Sequence, residues 1–318
     1  MALFLTENDV KTVLTVEMAM AGVESAHRDL ALGQAIDTPR ARSRLPQTVL
    51  HILQGALPAQ GVIGYKAYTS NRSGNRFLVH LFDAASGSLL AVIEADYLGM
   101  MRTGAASGVA AKWLARPDST VAGVFGAGWQ AEGHVRAICA ALPLERVKVF
   151  SRRSERLTAF CTRLSAETGV EIVPATSAEE TVRGSDLIGT VTTAAQPLFD
   201  AEWLEEGAHI NAAGSNALIR QELSEATVRR CNLVTVDAVA TALAEAGDLL
   251  PLLEKGRLQA RQLVELGEVI VGRHVGRQNA SEITLFESQG MAIQDLAVAF
   301  RVLEAAKARE LGHALPMQ

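Results

Sequence analysis

Val121-Ala-Gly-Val-Phe-Gly126-Ala-Gly128-Trp-Gln-Ala131 decides the fold of this chain. An apolar run enters G-x-G-x-x-A, and a segment of helical character follows to about Leu142. The order is strand, turn, helix. Gly126 permits the tight turn, and Gly128 lets the backbone approach a pyrophosphate whose charge then sits on the helix N-terminus. Ala131 in the third place still allows close helix–strand packing. Outward from this turn, further strands are expected at Val147–Phe150, Val170–Val173, Leu187–Val191, His209–Ala213 and Leu233–Val236. Helices are expected between them, at about Ala131–Leu142, Ser154–Thr168 and Gln221–Arg230. Alternating strands and helices predict an α/β chain with a parallel, doubly wound Rossmann sheet over residues 116–290. Read alone, the motif also fits a glycine turn without a nucleotide; the later βα units weigh against that.

Pro117-Asp118-Ser119 marks the upstream boundary. Residues 1–115 read as an α+β domain. Thr6 to Gly33 has helical apolar spacing, and the short apolar pieces Thr48–Leu53, Val62–Tyr65, Phe77–Phe82 and Leu89–Ile93 are bounded by turn residues. A helix is expected from about Leu98 to Leu114. At the other end, Ile283–Phe286 reads as a strand and about Gly290 to Leu311 as a long helix.

Composition removes several functions. Thirty Lys and Arg against 35 Asp and Glu give −5, which argues against a nucleic-acid or anionic-membrane binder. The longest uncharged stretch, Leu45–Tyr65, carries Pro46 and Pro58 and reads as no membrane span. Glu7 and Asp9 come too early for a signal peptide. Cys139, Cys161 and Cys231 form no C-x-x-C pair, which suits a reducing cytoplasm and offers no zinc ligand set. The seven histidines show no metal-binding spacing, so no metal is expected.

The second strand ends at Phe150 and is followed by Ser151-Arg152-Arg153. An enzyme specific for NAD usually carries an acid here to accept from the ribose hydroxyls. A hydroxyl and two guanidiniums suit a 2′-phosphate, so NADP(H) is favoured over NAD(H); an exposed basic loop would leave NAD(H) acceptable. Arg40, Arg42 and Arg44 alternate between Pro39 and Pro46, which puts three guanidiniums on one face of a strand. The bland reading is a solvated edge strand. The sharper one is a site for a second substrate carboxylate.

Four separated motifs carry a family resemblance over nearly the whole chain. They are Met101-Arg102-Thr103-Gly-Ala-Ala-Ser107, the Gly126 to Ala131 turn, Ile210-Asn-Ala-Ala-Gly214-Ser-Asn216 with Glu222-Leu223, and Phe286-Glu-Ser288-Gln-Gly290-Met-Ala-Ile-Gln-Asp295. In this order they resemble the ornithine cyclodeaminase and mu-crystallin family, which includes alanine dehydrogenase of archaeal type and ketimine reductases. The resemblance implies a homodimer built through the non-Rossmann domain, with residues 291–318 returning to that domain. It places Arg44, Lys66 and Arg102 at the substrate carboxylate. It places Arg102, Thr103, Gly126, Ala127, Gly128, Trp129, Gln130, Ser151, Arg152, Arg153, Thr192, Thr193, Gly214, Arg220 and Ser288 at the cofactor. Gln289 falls beside the substrate, where an amide suggests a more polar substrate. Lys66, in a tight and partly apolar setting, is the candidate proton donor.

Asn216 departs from the pattern. The family's cyclodeaminases carry an aspartate there for acid/base chemistry, and asparagine holds no titratable proton. Reduction of an imine survives the exchange. The expected activity is therefore NAD(P)H-dependent reduction of an α-imino acid, cyclic or linear, such as iminosuccinate, to an L-amino acid. The alternatives are an ornithine cyclodeaminase-like lyase with recycled NAD, and a non-catalytic NADP(H)-binding protein.

Overall fold

The computed structural model describes residues 2–72, 74–152 and 154–316. In chain order the elements begin with β1 (Leu3–Leu5), α1 (Glu7–Val13), α2 (Val16–Ala31), β2 (Ile36–Arg44), β3 (Thr48–Leu57), β4 (Val62–Asn71), β5 (Gly74–Asp83), β6 (Leu89–Glu94) and α3 (Asp96–Leu114). Then come β7 (Val121–Phe125), α4 (Trp129–Ala141), β8 (Arg146–Phe150), α5 (Leu157–Thr168), β9 (Glu171–Pro174), α6 (Ala178–Val182), β10 (Leu187–Thr190) and β11 (His209–Ala212). The last stretch holds α7 (Glu225–Arg230), β12 (Leu233–Val236), α8 (Val239–Glu245), α9 (Leu250–Glu254), β13 (Leu263–Glu265), α10 (Leu266–Ile270), β14 (Thr284–Glu287), α11 (Ala292–Ala308) and β15 (His313–Ala314).

Two compact units form. The first is 1–102 with 290–318, and the second is 103–289. The first boundary therefore falls inside α3, not at the Pro117 turn. From Thr103 onward α3 belongs to the second unit because its glycines let α4 come close. A Cβ on Gly104 would run into the backbone of Gly133, and one on Gly108 would press on Ala137 at 2.9 Å.

The first unit is a seven-stranded sheet in the order β15-β1-β6-β5-β4-β3-β2, antiparallel except for β1 with β6. Helices pack on one of its faces. Gly55 and Gly64 leave the room for α11: a Cβ at Gly55 would sit 2.9 Å from Ile293, and one at Gly64 3.1 Å from Leu296. Buried Leu296, Val302 and Leu303 each contribute about 1.5–3 kcal/mol to this packing. The predicted helix from Thr6 to Gly33 is two helices. Thr6 caps α1 in a box with Asp9, α1 ends at Val13, and Thr15 starts α2 by accepting from the Met18 N–H.

The second unit is an eight-stranded, all-parallel sheet in the order β13-β12-β14-β11-β10-β7-β8-β9. Strands β10, β11, β12 and β14 are buried throughout, as a sheet covered on both faces requires. This is the doubly wound α/β sheet that the glycine turn predicts. The order steps from β7 to β10 on one side and to β8 on the other, which makes the β7 end the crossover point where such sheets bind ligands. Among the described residues no helix is long and apolar enough to cross a membrane, and no group of three or more His, Cys, Asp or Glu could hold a metal.

Candidate active site

In the second unit the turn after β7 is built for an anion. Gly126 has φ +116°, a conformation that side chains rarely adopt, and a Cβ there would meet the Val191 carbonyl at 2.6 Å. Its N–H donates to the Phe150 carbonyl at 2.9 Å and so ties the turn to the end of β8. Gly128 is the N-cap of α4. It supplies no side-chain cap, and a Cβ there would meet nothing within 4 Å. No N-cap side chain occupies the N-terminus of this 13-residue helix. That geometry fits a pyrophosphate, so the residues present can accept a dinucleotide. Trp129 is exposed, and Ala127 and Gln130 are half-buried. Ser151 is half-buried and Arg152 exposed after β8; Arg153 lies outside the described residues.

A buried carboxylate holds two loops of this unit. Glu222 accepts from the Thr192 N–H and Oγ1, both at 2.6 Å, and from the Gly214 N–H at 2.8 Å. Thr192 follows β10 and Gly214 follows β11, so one side chain joins the ends of neighbouring strands. A Cβ on Gly214 would lie 2.5 Å from that carboxyl, which explains the glycine. Asp248 in turn accepts from the Glu222 and Leu223 N–H groups at 2.7 and 3.0 Å. Burial pushes Glu222 up to about 7 and Asp248 up to about 6. Glu287 is also held well above the usual carboxylate range, by burial first and then by Asp248; Ser215 donates to it, as does the Gln289 amide at 3.1 Å. Glu222 stood in a quoted motif without a role. Spacing could not show that it closes the gap between two loops.

The remaining predicted residues of this unit divide. Thr193 is exposed, Thr103, Asn216 and Arg220 are half-buried, and Ser288 is buried with its Oγ donating to Asp237 at 3.0 Å. Gln289 is 3% exposed, its amide is turned onto Glu287, and its backbone N–H donates to Asp237 at 2.7 Å. A buried carboxyl needs a donor, and the Gln289 amide supplies one here.

In the first unit the structure assembles a buried charge cluster. Lys66 on β4 is 3% exposed and Arg102 on α3 is 7% exposed. Both pair with Asp295 on α11: Lys66 Nζ to Oδ2 at 2.6 Å and Arg102 Nε to Oδ1 at 2.8 Å. Arg102 also donates to the Gln294 side chain at 3.1 Å. Burial pushes the Lys66 ammonium down to about 7; Arg102 and Arg40 push the same way, and Asp295 opposes them. Lys66 Nζ lies 5.9 Å from the centre of the Tyr68 ring, and Arg40 donates to the Tyr68 hydroxyl at 3.3 Å.

Two corrections to the sequence reading follow. Asp295 closed a quoted motif but had no assigned role, and it is the counter-charge of the cluster. Arg44 is not brought to Lys66. It sits exposed at the end of β2 opposite Val49. The β2–β3 register shifts between Thr38 and Ala41. Arg44 pairs two rows beyond the Leu53–Lys66 row, whereas Arg40 reaches over the sheet to Tyr68 beside Lys66, and alternation alone could not distinguish the two.

Comparison with known proteins identifies whole-length relatives. The model of the ornithine cyclodeaminase/mu-crystallin family matches residues 1–310. A Delta(1)-pyrroline-2-carboxylate reductase of Bacillus cereus is 33% identical over 322 residues, covering 98% of each chain. The structure of the Thermococcus litoralis Delta(1)-pyrroline-2-carboxylate reductase, in complex with NADH and L-proline, superposes with a TM-score of 0.94. It is 31% identical and covers 98% of this chain and 100% of that one. An archaeal alanine dehydrogenase dimer with bound NAD superposes at 0.93 with 33% identity, covering 100% and 99%. The buried Lys66–Asp295–Arg102 group, the uncapped glycine turn and these whole-length matches lead to one conclusion: the chain belongs to the ornithine cyclodeaminase/mu-crystallin family.

Proposed function

We propose that this protein reduces an α-imino acid to the corresponding L-amino acid with a nicotinamide dinucleotide. One observation carries the reading: two buried cations, Lys66 and Arg102, share the single carboxylate Asp295. The cluster keeps an excess positive charge in a buried setting, and a substrate carboxylate is the group that offsets it. Arg102 and Arg40 orient that carboxylate, Arg102 as the fork donor. Lys66, held near 7, gives a proton to the imine nitrogen. The bound nicotinamide supplies the hydride for the imine carbon. One hydride and one proton convert C=N into CH–NH.

The cofactor lies along the Gly126 to Gln130 turn, with Thr103, Thr192, Thr193, Gly214, Arg220 and Ser288 contributing to its site. Ser151 and Arg152 lie beside the adenosine ribose, and the hydroxyl and guanidinium chemistry of the sequence Ser151-Arg152-Arg153 favours NADP(H) over NAD(H). Asn216 offers no titratable proton for the acid/base steps of a cyclodeaminase, which supports reduction over ammonia elimination. The protein forms a homodimer through the sheet face of the first unit that turns away from α11. Leu50 and Ile63 are exposed there, and Tyr65 stacks on His80 at 4.6 Å. The substrate is a small imino acid in the cytoplasm.

The test is a cofactor-oxidation screen with NADH and NADPH. Its substrates are Δ1-pyrroline-2-carboxylate, and pyruvate, glyoxylate or oxaloacetate with ammonia or methylamine. Amino-acid-forming oxidation with at least one imine, and no proline or ammonia from ornithine with NAD, is the expected result. Catalytic proline production from ornithine would replace this reading with the lyase.

A further inference from the structure

The arginines of β2 extend the first unit's cluster in one direction. Strand register sets the rows. Leu53, Lys66 and Val79 lie side by side in one, and Arg42, His51, Tyr68 and Phe77 in the next. Arg44, Val49, Ser70 and Asn75 form the third. Alternate residues of a strand share a face, and two residues span about 7 Å. All three rows therefore lie on the face that carries Lys66. His51 and Tyr68 make a flat aromatic floor, with rings stacked at 4.2 Å and 3° between planes. The His51 Nε2 and the Ser70 hydroxyl share a hydrogen bond at 3.0 Å.

Edge strands carry exposed charge to prevent sheet-to-sheet pairing, and β2 is an edge. That purpose does not explain this row. Arg40 reaches inward past β3 to the Tyr68 hydroxyl on β4, and Arg42 is half-buried beside His51. Burial together with the charges of Arg40, Arg42 and Arg44 pushes the His51 imidazole down to about 4, so it stays neutral and adds no further cation. The result is a concentrated positive field over an aromatic floor, one row from the buried ammonium.

We propose that Arg42, with His51 and Arg44 beside it, is a second anion subsite that takes a distal carboxylate of the substrate, so that imines of 2-oxo dicarboxylic acids are the preferred class. This rests on the reading of Lys66 and Arg102 as holders of the α-carboxylate. A short dicarboxylate anchored there extends over Tyr68, and its far end comes within the reach of the Arg42 fork.

Arg42→Gln tests it in two ways. In turnover with ammonia, the KM for oxaloacetate or 2-oxoglutarate should rise about tenfold to a hundredfold, the loss of one charge-assisted hydrogen bond, while the KM for pyruvate stays within about twofold. In thermal shift without turnover, succinate should stabilise wild type more than propionate does, and Arg42→Gln should erase that difference. Arg42→Lys should recover part of it through charge alone. Equal responses of wild type to succinate and propionate would overturn the proposal, as would an unchanged succinate response in Arg42→Gln. An Arg42-dependent succinate response in a protein that reduces no imine would keep the subsite and remove the reductase reading.

Discussion

Asp295→Asn probes the charge arrangement on which the site depends. Asparagine keeps the shape of the side chain but removes the charge that Lys66 and Arg102 share at 2.6 and 2.8 Å. Breaking a buried ion pair by removing one partner costs about 3–5 kcal/mol, because the remaining charge is left uncompensated. At about 2–4 °C per kcal/mol for a chain of this size class, the melting temperature should fall by about 6–20 °C. The loss has a pH signature. Asp295 opposes the downward push on Lys66, so without it the Lys66 pKa falls below the wild-type value of about 7. A base whose folded pKa lies below its unfolded one costs stability in full below the folded value, and the cost shrinks as pH rises from the folded toward the unfolded value. At pH 6 the variant lacks the counter-charge to both cations. At pH 9 Lys66 is neutral in both proteins and only the Arg102 pairing is missing. The gap between variant and wild type should therefore be wider at pH 6 than at pH 9, as read by circular dichroism melts at fixed ionic strength. A melting temperature within about 2 °C of wild type, or a gap of equal size at both pH values, would refute the shared-carboxylate reasoning.

Lys66→Met should fold and bind cofactor but lose about 10²–10⁴-fold in reductase rate, and near wild-type turnover would remove Lys66 from the chemistry. In the unmodified enzyme kcat/KM should fall as pH rises through about 7, where Lys66 gives up its proton; a flat profile to pH 9 would point to another donor. Ser151→Asp should raise the KM for NADPH more than that for NADH, since a carboxylate repels a 2′-phosphate, and equal effects on both cofactors would show that this loop faces elsewhere.

Much of the second unit was legible because its signals are local. The strand at Val121–Phe125 and the one at Leu233–Val236 match their apolar runs end to end, and the glycine turn predicts the start of α4 to within two residues. The three-residue β13 escaped notice because it is too short to show a period. The unit boundary inside α3 was hidden for a different reason. The helix runs unbroken from Asp96 to Leu114, and only tertiary contact of Gly104 and Gly108 reassigns its second part. At the site, Lys66 and Arg102 were visible by resemblance, whereas Asp295 and Glu222 were not. A buried carboxylate declares its role through what surrounds it, and those partners are distant in sequence: 229 residues separate Lys66 from Asp295. Arg44 was named by resemblance, and alternation puts Arg40, Arg42 and Arg44 on one face without saying which of them reaches Tyr68, a contact between strands that only the fold reveals.

The central claim is that this chain carries out a hydride reduction at the α-carbon of an imino acid. Deuterium transfer tests it most directly. The enzyme would be supplied with NADPH or NADH deuterated at C4 of the nicotinamide, on the transferred face, and with an imine that is turned over. The amino-acid product would then be read by proton NMR and mass spectrometry. The account predicts one deuterium at the α-carbon for each cofactor oxidised, in the L-enantiomer, and a rate that collapses in Lys66→Met. Product without deuterium at the α-carbon, or cofactor oxidation with no amino acid formed, would contradict it.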